Sequence, residues 1–225
     1  MVNEQLTIDN GQLTITKGLN ENRQEQIVNR PLSIVNSYRL VLGSGSPRRR
    51  ELLAGLDIPF EVRTLPGIDE SYPPTLQAEE IPVYLARKKA EAYLSELKAD
   101  ELLLTADTIV WTFDEVLGKP KDRADAIAML RKLSGRTHEV ITGVCLTTRE
   151  RSVSFPAVSS VRFATLDDAE ITYYVDHYRP FDKAGSYGIQ EWIGYVAVEA
   201  IEGSFYNVMG LPIRKVYEAL KRWEM

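Results

Sequence analysis

Short apolar strands alternate with amphipathic helices from Tyr38 onward, and this alternation most constrains the fold. Two strand candidates follow one another directly across a charged turn, which predicts an antiparallel pair. The sequence therefore predicts an α/β fold with a mixed, partly antiparallel sheet and flanking helices. The predicted strands are Tyr38–Leu42, Phe60–Thr64, Leu102–Trp111, Val140–Thr147, Val153–Phe163 and Tyr195–Ile201. The predicted helices are Pro47–Leu56, Ala78–Leu97, Ala124–Leu133, a segment with a Thr165–Asp168 capping box that ends near His177, and Pro212–Trp223.

Residues 1–37 differ in composition from the predicted domain, which spans residues 38–225. They contain no aromatic residue, are rich in Asn and Gln, and repeat the sequence Gln-Leu-Thr-Ile once. Two copies are too few for a repeat domain, so we expect a disordered or loosely attached extension. The alternative is a β-hairpin with strands Leu6–Ile8 and Leu13–Ile15 and the turn signal Asn10-Gly11.

The composition excludes several classes of protein. The chain has 225 residues and a formal net charge of -5, with 27 Lys and Arg against 32 Asp and Glu, so we expect no stable nucleic-acid partner and no anionic membrane surface as partner. The single cysteine, Cys145, excludes an intramolecular disulfide framework, and its apolar neighbours predict an inert core residue. No apolar run approaches the ~20 residues of a membrane-spanning helix, and the start lacks a signal pattern. We expect a globular, cytoplasmic protein.

Residues 43–50 link a predicted strand to a predicted helix and have the composition of a phosphate site. Free N–H groups at a helix N-terminus attract anions, and the hydroxyls of Ser44 and Ser46 add donors. The guanidinium groups of Arg48 and Arg49 can hold phosphate oxygens in a bidentate manner. The alternative is a helix cap with a solvated basic face. Three arginines in the first turn oppose the helix dipole, however, and a bound polyanion would relieve that conflict. The Gly-Lys-Ser/Thr ending of a P-loop is absent.

Asp107 is a carboxylate within the most apolar predicted strand. Such a group is costly to bury unless it is paired or holds a metal ion. The alternative is a solvent-facing position, which the two-residue period of a strand permits. Glu70 is a second candidate carboxylate in a predicted loop. Oxygen ligands of this kind suit Mg²⁺ or Mn²⁺, which bind through one or two carboxylates together with substrate phosphates.

Three lysines are candidates for further phosphate contacts. Lys89 falls on the apolar side of its predicted helix, among Leu85, Tyr93 and other large side chains. The alternative for Lys89 is a buried stem with its ammonium group at the surface. Lys119 and Lys183 lie in turns beside Gly or Pro, where each is equally consistent with an ordinary loop lysine.

Seven segments together resemble the Maf family of nucleoside triphosphate pyrophosphatases. The resemblance extends from Tyr38 essentially to the C-terminus, and the segments occur in the order found in the family. The residues before Tyr38 have no counterpart in that pattern. The matching segments are Ser44–Arg49, Ala86–Ala90, Ala106–Val110, Leu117–Pro120, Ser134–His138, Lys183–Gln190 and Phe205–Pro212.

The resemblance implies an enzyme that hydrolyses a nucleoside triphosphate between its α and β phosphates. The implied fold has two lobes around a central cleft, as in the inosine triphosphate pyrophosphatases. Members of the family are often dimeric, so a homodimer is expected. The implied cellular role is removal of unwanted pyrimidine nucleotides.

The resemblance also assigns roles to individual residues. Asp107 matches the catalytic aspartate, described as the proton acceptor. Independently of the resemblance, the residue types indicate that Asp107 and Glu70 would hold a divalent cation, Mg²⁺ or Mn²⁺. The residues at the three specificity positions match the subgroup that acts on dTTP and UTP, with CTP or modified pyrimidine nucleotides as further substrates. Those positions are Arg48, Thr108 and Gln190. The expected phosphate-binding residues are Ser44, Ser46, Arg48, Arg49, Lys89, Lys119 and Lys183.

Two alternatives to this function come from other readings of the same chain. One is a pyrophosphatase of the sister group, which prefers 7-methylguanosine triphosphate. The other is a nucleotide-responsive regulator of cell division with little catalysis, against which the intact set of acidic and basic residues argues. An RNA-binding module is disfavoured because basic and aromatic residues are not interleaved.

Overall fold

The computed structural model describes residues 4–9, 12–17 and 37–223. Strand β1 (Glu4–Asp9) pairs with β2 (Gln12–Lys17) in antiparallel register, with Glu4 opposite Lys17. This pairing is the hairpin alternative for the repeated sequence. The expectation of a disordered or loosely attached extension otherwise falls on residues that lie outside the described ones, and it stays a prediction.

The second unit of the chain is built on a mixed sheet, as the sequence predicts. The strand order is β4-β3-β5-β7-β8-β9, and β6 pairs with one end of β5. Strand β3 is parallel to β4 and β5, whereas the pairs β5–β7, β7–β8, β8–β9 and β5–β6 are antiparallel. The strands are β3 (Arg39–Leu42), β4 (Phe60–Val62), β5 (Glu101–Thr112), β6 (Glu115–Leu117), β7 (Thr137–Thr147), β8 (Ser152–Phe163) and β9 (Val198–Glu202).

Helices flank this sheet, and most begin and end near the predicted residues. The helix predicted over Ala78–Leu97 is shorter at both ends, and at its start Ala78 has a positive φ of 40° that an α-helix excludes. The helices are α1 (Pro47–Ala54), α2 (Glu80–Tyr93), α3 (Arg123–Leu133), α4 (Asp168–Tyr178), α5 (Trp192–Ala197), α6 (Phe205–Val208) and α7 (Ile213–Trp223).

The prediction of a strand over Tyr195–Ile201 is wrong in its first half. Helix α5 continues to Ala197, and only then does β9 begin. Ile193 and Ala197 are four residues apart and both are buried, so they form one face of a helix, while Tyr195 is 84% exposed. The aromatic and β-branched residues of this segment favoured a strand, but the packing selected a helix.

The predicted capping box at α4 is displaced by two residues. Asp167 is the N-cap, and its carboxylate accepts a hydrogen bond from the backbone N–H of Glu170. The carboxylate of Glu170 in turn accepts one from the backbone N–H of Asp167. The longer side chain of Glu reaches back across the first turn, whereas the predicted pair of Thr165 and Asp168 lacks that reach.

The described core divides into separate clusters of buried residues. The largest cluster joins α3 and α4 to β7 and β8, with Leu130, Phe163 and Tyr174 among its buried members. A second cluster joins α2 to β3 and β5, and Cys145 is a buried member, as predicted. Among the described residues, no helix is long and apolar enough to cross a membrane.

Candidate active site

A cleft of about 750 Å³ is lined by residues from both core clusters, Tyr187 from the first and Tyr93 from the second. All the site residues that the sequence predicts line this one cleft. They come from six separate parts of the chain and are Ser44, Ser46, Arg48, Arg49, Glu70, Lys89, Asp107, Thr108, Lys119, Lys183 and Gln190.

The loop before α1 forms one wall of the cleft. Ser46 is the N-cap of α1, and its hydroxyl accepts a hydrogen bond from the backbone N–H of Arg49. The hydroxyl of Ser44 accepts one from the backbone N–H of Ser46 at 3.3 Å. On the first turn, Arg48 forms an ion pair with Asp182 at 3.0 Å. The wall therefore presents hydroxyls and a guanidinium group to the same space.

The guanidinium group of Arg49 donates its hydrogen bonds to other groups of the protein. Its Nε donates to the carbonyl of Gly210 at 2.9 Å, and its Nη1 donates to the carbonyl of Ala106 at 2.8 Å. Its Nη2 donates to the hydroxyl of Thr108 at 3.0 Å. Burial lowers the pKa of Arg49, while the charge of Asp107 raises it. Because an arginine stays protonated in proteins, the group keeps its positive charge in the cleft.

Asp107 lines the cleft from β5 and is paired with Lys89 from α2. The Nζ of Lys89 is 2.6 Å from Oδ1 of Asp107 and 2.8 Å from Oε1 of Glu70. Asp107 and Lys89 are 13% and 14% exposed, so this pair is shielded from bulk water yet open to the cleft. The placement of Lys89 on the apolar side of its helix is confirmed, since Leu85 and Tyr93 beside it are buried.

The charges around Glu70 favour its ionised form. Desolvation raises the pKa of Glu70, but the hydrogen bond and charge of Lys89 and the charges of Lys119 and Arg49 outweigh it and lower the pKa below its ordinary value. Five cationic side chains and three carboxylates line the cleft, which leaves a net positive lining. The cleft is therefore suited to a polyanion.

Lys119 and Lys183 lie on two loops that contact one another. The backbone N–H of Gly185 donates to the carbonyl of Gly118 at 3.1 Å. Gly185 has a φ of 65°, and a Cβ there would lie 2.7 Å from Val110, so glycine permits this close approach. Both lysines line the cleft, and Lys183 shares the carboxylate of Asp182 with Arg48 of α1.

Lys183 has two carboxylate partners that sequence reasoning missed. Its Nζ is 2.8 Å from Oδ1 of Asp182 and 3.1 Å from Oε1 of Glu191. The hydroxyl of Tyr174 donates a hydrogen bond to the other carboxylate oxygen of Glu191. The pairing with Asp182 could have been predicted from the sequence, because Asp182 directly precedes Lys183. Tyr174 is 17 residues from Glu191, and no local pattern links them.

The remaining predicted specificity residues differ in their contacts. The hydroxyl of Thr108 lies 3.0 Å from that of Thr142 on β7 and also accepts from Arg49. The Oε1 atom of Gln190 is buried and has no hydrogen-bond partner among the described residues. A buried amide oxygen without a partner is costly, so it is a candidate contact for a ligand.

The carboxylates of Asp107 and Glu70 fit the requirements of a Mg²⁺ or Mn²⁺ ion. Both approach one point, which the ammonium group of Lys89 takes in this structure. Within residues 37–223, no group of three or more His, Cys, Asp or Glu side chains is placed to hold a metal ion. Two carboxylates with substrate phosphates are, however, a sufficient oxygen set for these ions.

A mixed α/β fold with a cationic cleft around one shielded aspartate defines a class of polyphosphate-binding proteins. Within that class the chain belongs to the Maf family, because the family model described as "Maf-like protein" matches residues 39–223. A "dTTP/UTP pyrophosphatase" of Bacteroides fragilis is 62% identical over 191 residues, which cover 85% of this chain and 99% of the relative. A "dTTP/UTP pyrophosphatase" of Parabacteroides distasonis is 60% identical over 192 residues, which cover 85% of this chain and 100% of the relative.

Solved structures offer a more distant likeness. The crystal structure of a nucleoside-triphosphatase, or dITP/XTP pyrophosphatase, from Mycobacterium abscessus has a TM-score of 0.40 and 16% identity. The match covers 83% of this chain and 96% of that one. A similarity of this size does not bear on the site.

Proposed function

We propose that this protein hydrolyses dTTP and UTP to the monophosphate and pyrophosphate, with CTP or modified pyrimidine nucleotides as further substrates. The main support for this reaction is the pairing of Asp107 with Lys89 inside a cleft lined by five cationic side chains. The names of the similar proteins from Bacteroides fragilis and Parabacteroides distasonis agree with this reaction.

Asp107 is the group we assign as the proton acceptor for the attacking water. Lys89 contacts its Oδ1 atom and orients the carboxylate, so the second oxygen, Oδ2, is the atom that receives the proton. The shielding of this pair strengthens the interaction, because a charge contact is stronger where water is excluded.

The cationic side chains stabilise the phosphates and the leaving pyrophosphate. Arg48 belongs to α1, and Lys119 and Lys183 belong to two loops that also line the cleft. Negative charge gathers on the leaving group as the bond between the α and β phosphates breaks, and fixed cations lower the energy of that state. The hydroxyls of Ser44 and Ser46 add neutral donors to the same wall.

A divalent cation, Mg²⁺ or Mn²⁺, is part of the proposal. Asp107 and Glu70 would hold it together with oxygens of the substrate. When bound, such an ion neutralises phosphate charge and polarises the phosphoryl group. Lys89 must then give up at least one of its two carboxylate contacts.

Base recognition is assigned to Gln190, Thr108 and Arg48. The unpartnered Oε1 of Gln190 can accept a hydrogen bond from the N3–H of uracil or thymine. A purine such as 7-methylguanine is larger than uracil or thymine and places its hydrogen-bond donors differently. A buried polar match of this kind can discriminate strongly between substrates.

The proposal extends to the setting of the enzyme. We infer a cytoplasmic enzyme that removes unwanted pyrimidine nucleotides, acts as a homodimer, and has no stable nucleic-acid partner. The formal net charge of -5 supports the last point, because it repels long polyanions while the local cationic cleft admits a single triphosphate.

The test is a substrate panel with the Asp107→Asn variant. Pyrophosphate release is measured from dTTP, UTP, CTP and 7-methylguanosine triphosphate with Mg²⁺ or Mn²⁺. We expect dTTP and UTP to be preferred, and Asp107→Asn to lower kcat by about 10²- to 10⁴-fold, since it removes the proton acceptor. Asp176→Asn is the matched control, because Asp176 is an exposed carboxylate paired with Arg123 and does not line the cleft.

Three results would contradict the proposal. Full turnover by Asp107→Asn would remove the catalytic assignment. A preference for 7-methylguanosine triphosphate would place the chain in the sister group. Tight nucleotide binding by the wild type without turnover would favour the regulator.

A further inference from the structure

A hydrogen-bonded chain leads from the core into the cleft through Tyr174. Tyr174 lies on α4 and is fully buried. Its hydroxyl accepts a hydrogen bond from the backbone N–H of Gly188 at 3.0 Å and donates one to Glu191. Burial and the neighbouring Glu191 carboxylate raise the pKa of Tyr174, so the hydroxyl stays protonated and remains a donor.

Glu191 uses its two carboxylate oxygens for two different partners. Oε2 accepts from Tyr174, and Oε1 is 3.1 Å from the Nζ of Lys183. Lys183 is 10% exposed and Glu191 is 20% exposed, so both groups are largely shielded. The buried tyrosine thus fixes the carboxylate, and the carboxylate fixes the lysine at the edge of the cleft.

Gly188 makes room for this arrangement. A Cβ at this position would lie 2.9 Å from Cδ of Glu191 and 3.0 Å from Cε of Lys183. The backbone N–H of Glu191 also donates to the carbonyl of Gly188 at 3.0 Å, which closes a tight turn over residues 188–191. Gln190 lies within that turn, and its unpartnered Oε1 is buried there.

We propose that Tyr174 and Glu191 are positioning residues that together set Lys183 against the phosphates and Gln190 against the base. The proposal deepens the proposed pyrophosphatase function and rests on it. Neither residue lines the cleft, so each acts through another side chain. One hydrogen-bonded unit thereby couples phosphate binding to base selection.

The test compares Tyr174→Phe and Glu191→Asp with the wild type. Tyr174→Phe removes the hydroxyl without changing any charge. Glu191→Asp keeps the charge but is too short to reach both partners. Tyr178→Phe is the matched control, because Tyr178 stacks on Tyr174 and its ring is retained. The readouts are KM and kcat for dTTP and CTP, the Kd of pyrophosphate by calorimetry, and the unfolding temperature.

We expect each variant to raise the KM for dTTP and the Kd for pyrophosphate about five- to tenfold, the scale of one hydrogen bond in a charged network. The preference for dTTP over CTP should narrow, because Gln190 is less well placed. The double variant should be little worse than either single one, since both break the same unit. Tyr178→Phe should match the wild type in its KM for dTTP, its Kd for pyrophosphate and its preference for dTTP over CTP.

Several outcomes would overturn this proposal. A merely structural role predicts a lower unfolding temperature with unchanged KM, pyrophosphate Kd and dTTP-to-CTP preference. If one variant fails to fold, the other decides by the same measurements. A wild type that hydrolyses none of the nucleotides refutes the proposed function, while weaker pyrophosphate binding in the variants would still support the placement of Lys183. A wild type that neither hydrolyses any of the nucleotides nor binds pyrophosphate refutes both.

Discussion

Arg48 and Arg49 are neighbours in the chain but make different contacts. Arg49 donates to main-chain carbonyls of Ala106 and Gly210, so it fixes α1 against β5 and the loop before α7. Arg48 contacts only the side chain of Asp182 among its described hydrogen bonds, and a phosphate can replace that carboxylate. Arg48 thus suits ligand binding, and Arg49 mainly holds the wall of the cleft in place.

His138 gives the fold a specific dependence on pH. Burial lowers the pKa of His138 to about 4 from an ordinary value of 6.5. The unfolded chain therefore binds a proton at higher pH than the folded one, and stability falls as the pH decreases from 6.5 to 4. This residue alone should account for a loss of up to about 3 kcal/mol over that range.

The measurement is the free energy of unfolding in urea at pH 7 and at several values down to pH 4. His138→Gln should show a smaller loss of stability on acidification, whatever its stability at pH 7. His177→Gln is the control, because His177 is exposed. An identical decline in His138→Gln and the wild type would contradict the prediction.

The sequence could predict the residues that line the cleft but not those behind them. Asp107, Lys89 and the arginines of α1 belong to local motifs with a clear chemical pattern. Tyr174 and Glu191 become partners only when α4 packs beside the loop that contains Gly188. The sequence of α4 contains no signal for the acceptor that the hydroxyl of Tyr174 finds.

Helix α2 lies unusually close to β7, and this closeness places Lys89. Gly143 on β7 is directly opposite Asp107 on β5. A Cβ at Gly143 would lie 2.2 Å from the carbonyl group of Pro82 on α2, a distance that real structures do not contain. The absence of a side chain at this position therefore allows α2 to lie this close to the strand that pairs with β5.

We expect Gly143→Ala to destabilise the protein and to lower its activity. The methyl group must push α2 away from the sheet, at a cost of about 3 kcal/mol. The same shift lengthens the contact between Lys89 and Asp107. The kcat/KM of the folded variant for dTTP should therefore be lower than that of the wild type. Unfolding in urea and steady-state kinetics are the measurements.

Gly118→Ala is the matched control for stability. A Cβ at Gly118 would meet no atom within 4 Å, so this substitution should leave the free energy of unfolding nearly unchanged. Equal stability of Gly143→Ala and the wild type would show that α2 can move without cost.

Element boundaries were predictable where the local chemistry was unambiguous. Pro47 and Ser46 define the start of α1, and the alternation of apolar residues defines β8. The segment at α5 was not predictable, because its aromatic and β-branched residues favour a strand while its buried face repeats every four residues. Tertiary packing decided between the two.

At the scale of the whole molecule, every residue that lines the cleft falls between Gly43 and Gly210. The described strands β1 and β2 belong to a separate unit of the chain, Met1–Ser33. We therefore expect the activity to reside in the second unit, Ile34–Met225.

Deletion of residues 1–33 should leave kcat, KM and the unfolding temperature of the remaining chain unchanged. The contrasting deletion ends the chain at Pro212 and removes α7, with its buried Val216, Leu220 and Trp223. That deletion exposes the apolar surface against which these side chains pack, so cooperative thermal unfolding should be lost. A loss of activity on removing residues 1–33 would give the first unit a functional role.

Several cations of the cleft are paired with carboxylates of the protein. A nucleotide that binds must therefore compete with these carboxylates for those cations. Asp182 is bound to both Arg48 and Lys183, and Glu70 and Asp107 are bound to Lys89. We expect an entering triphosphate to displace Asp182 from Arg48 and Lys183, rather than only salt ions from solution. Its affinity should consequently depend less on ionic strength than the number of cations alone would imply.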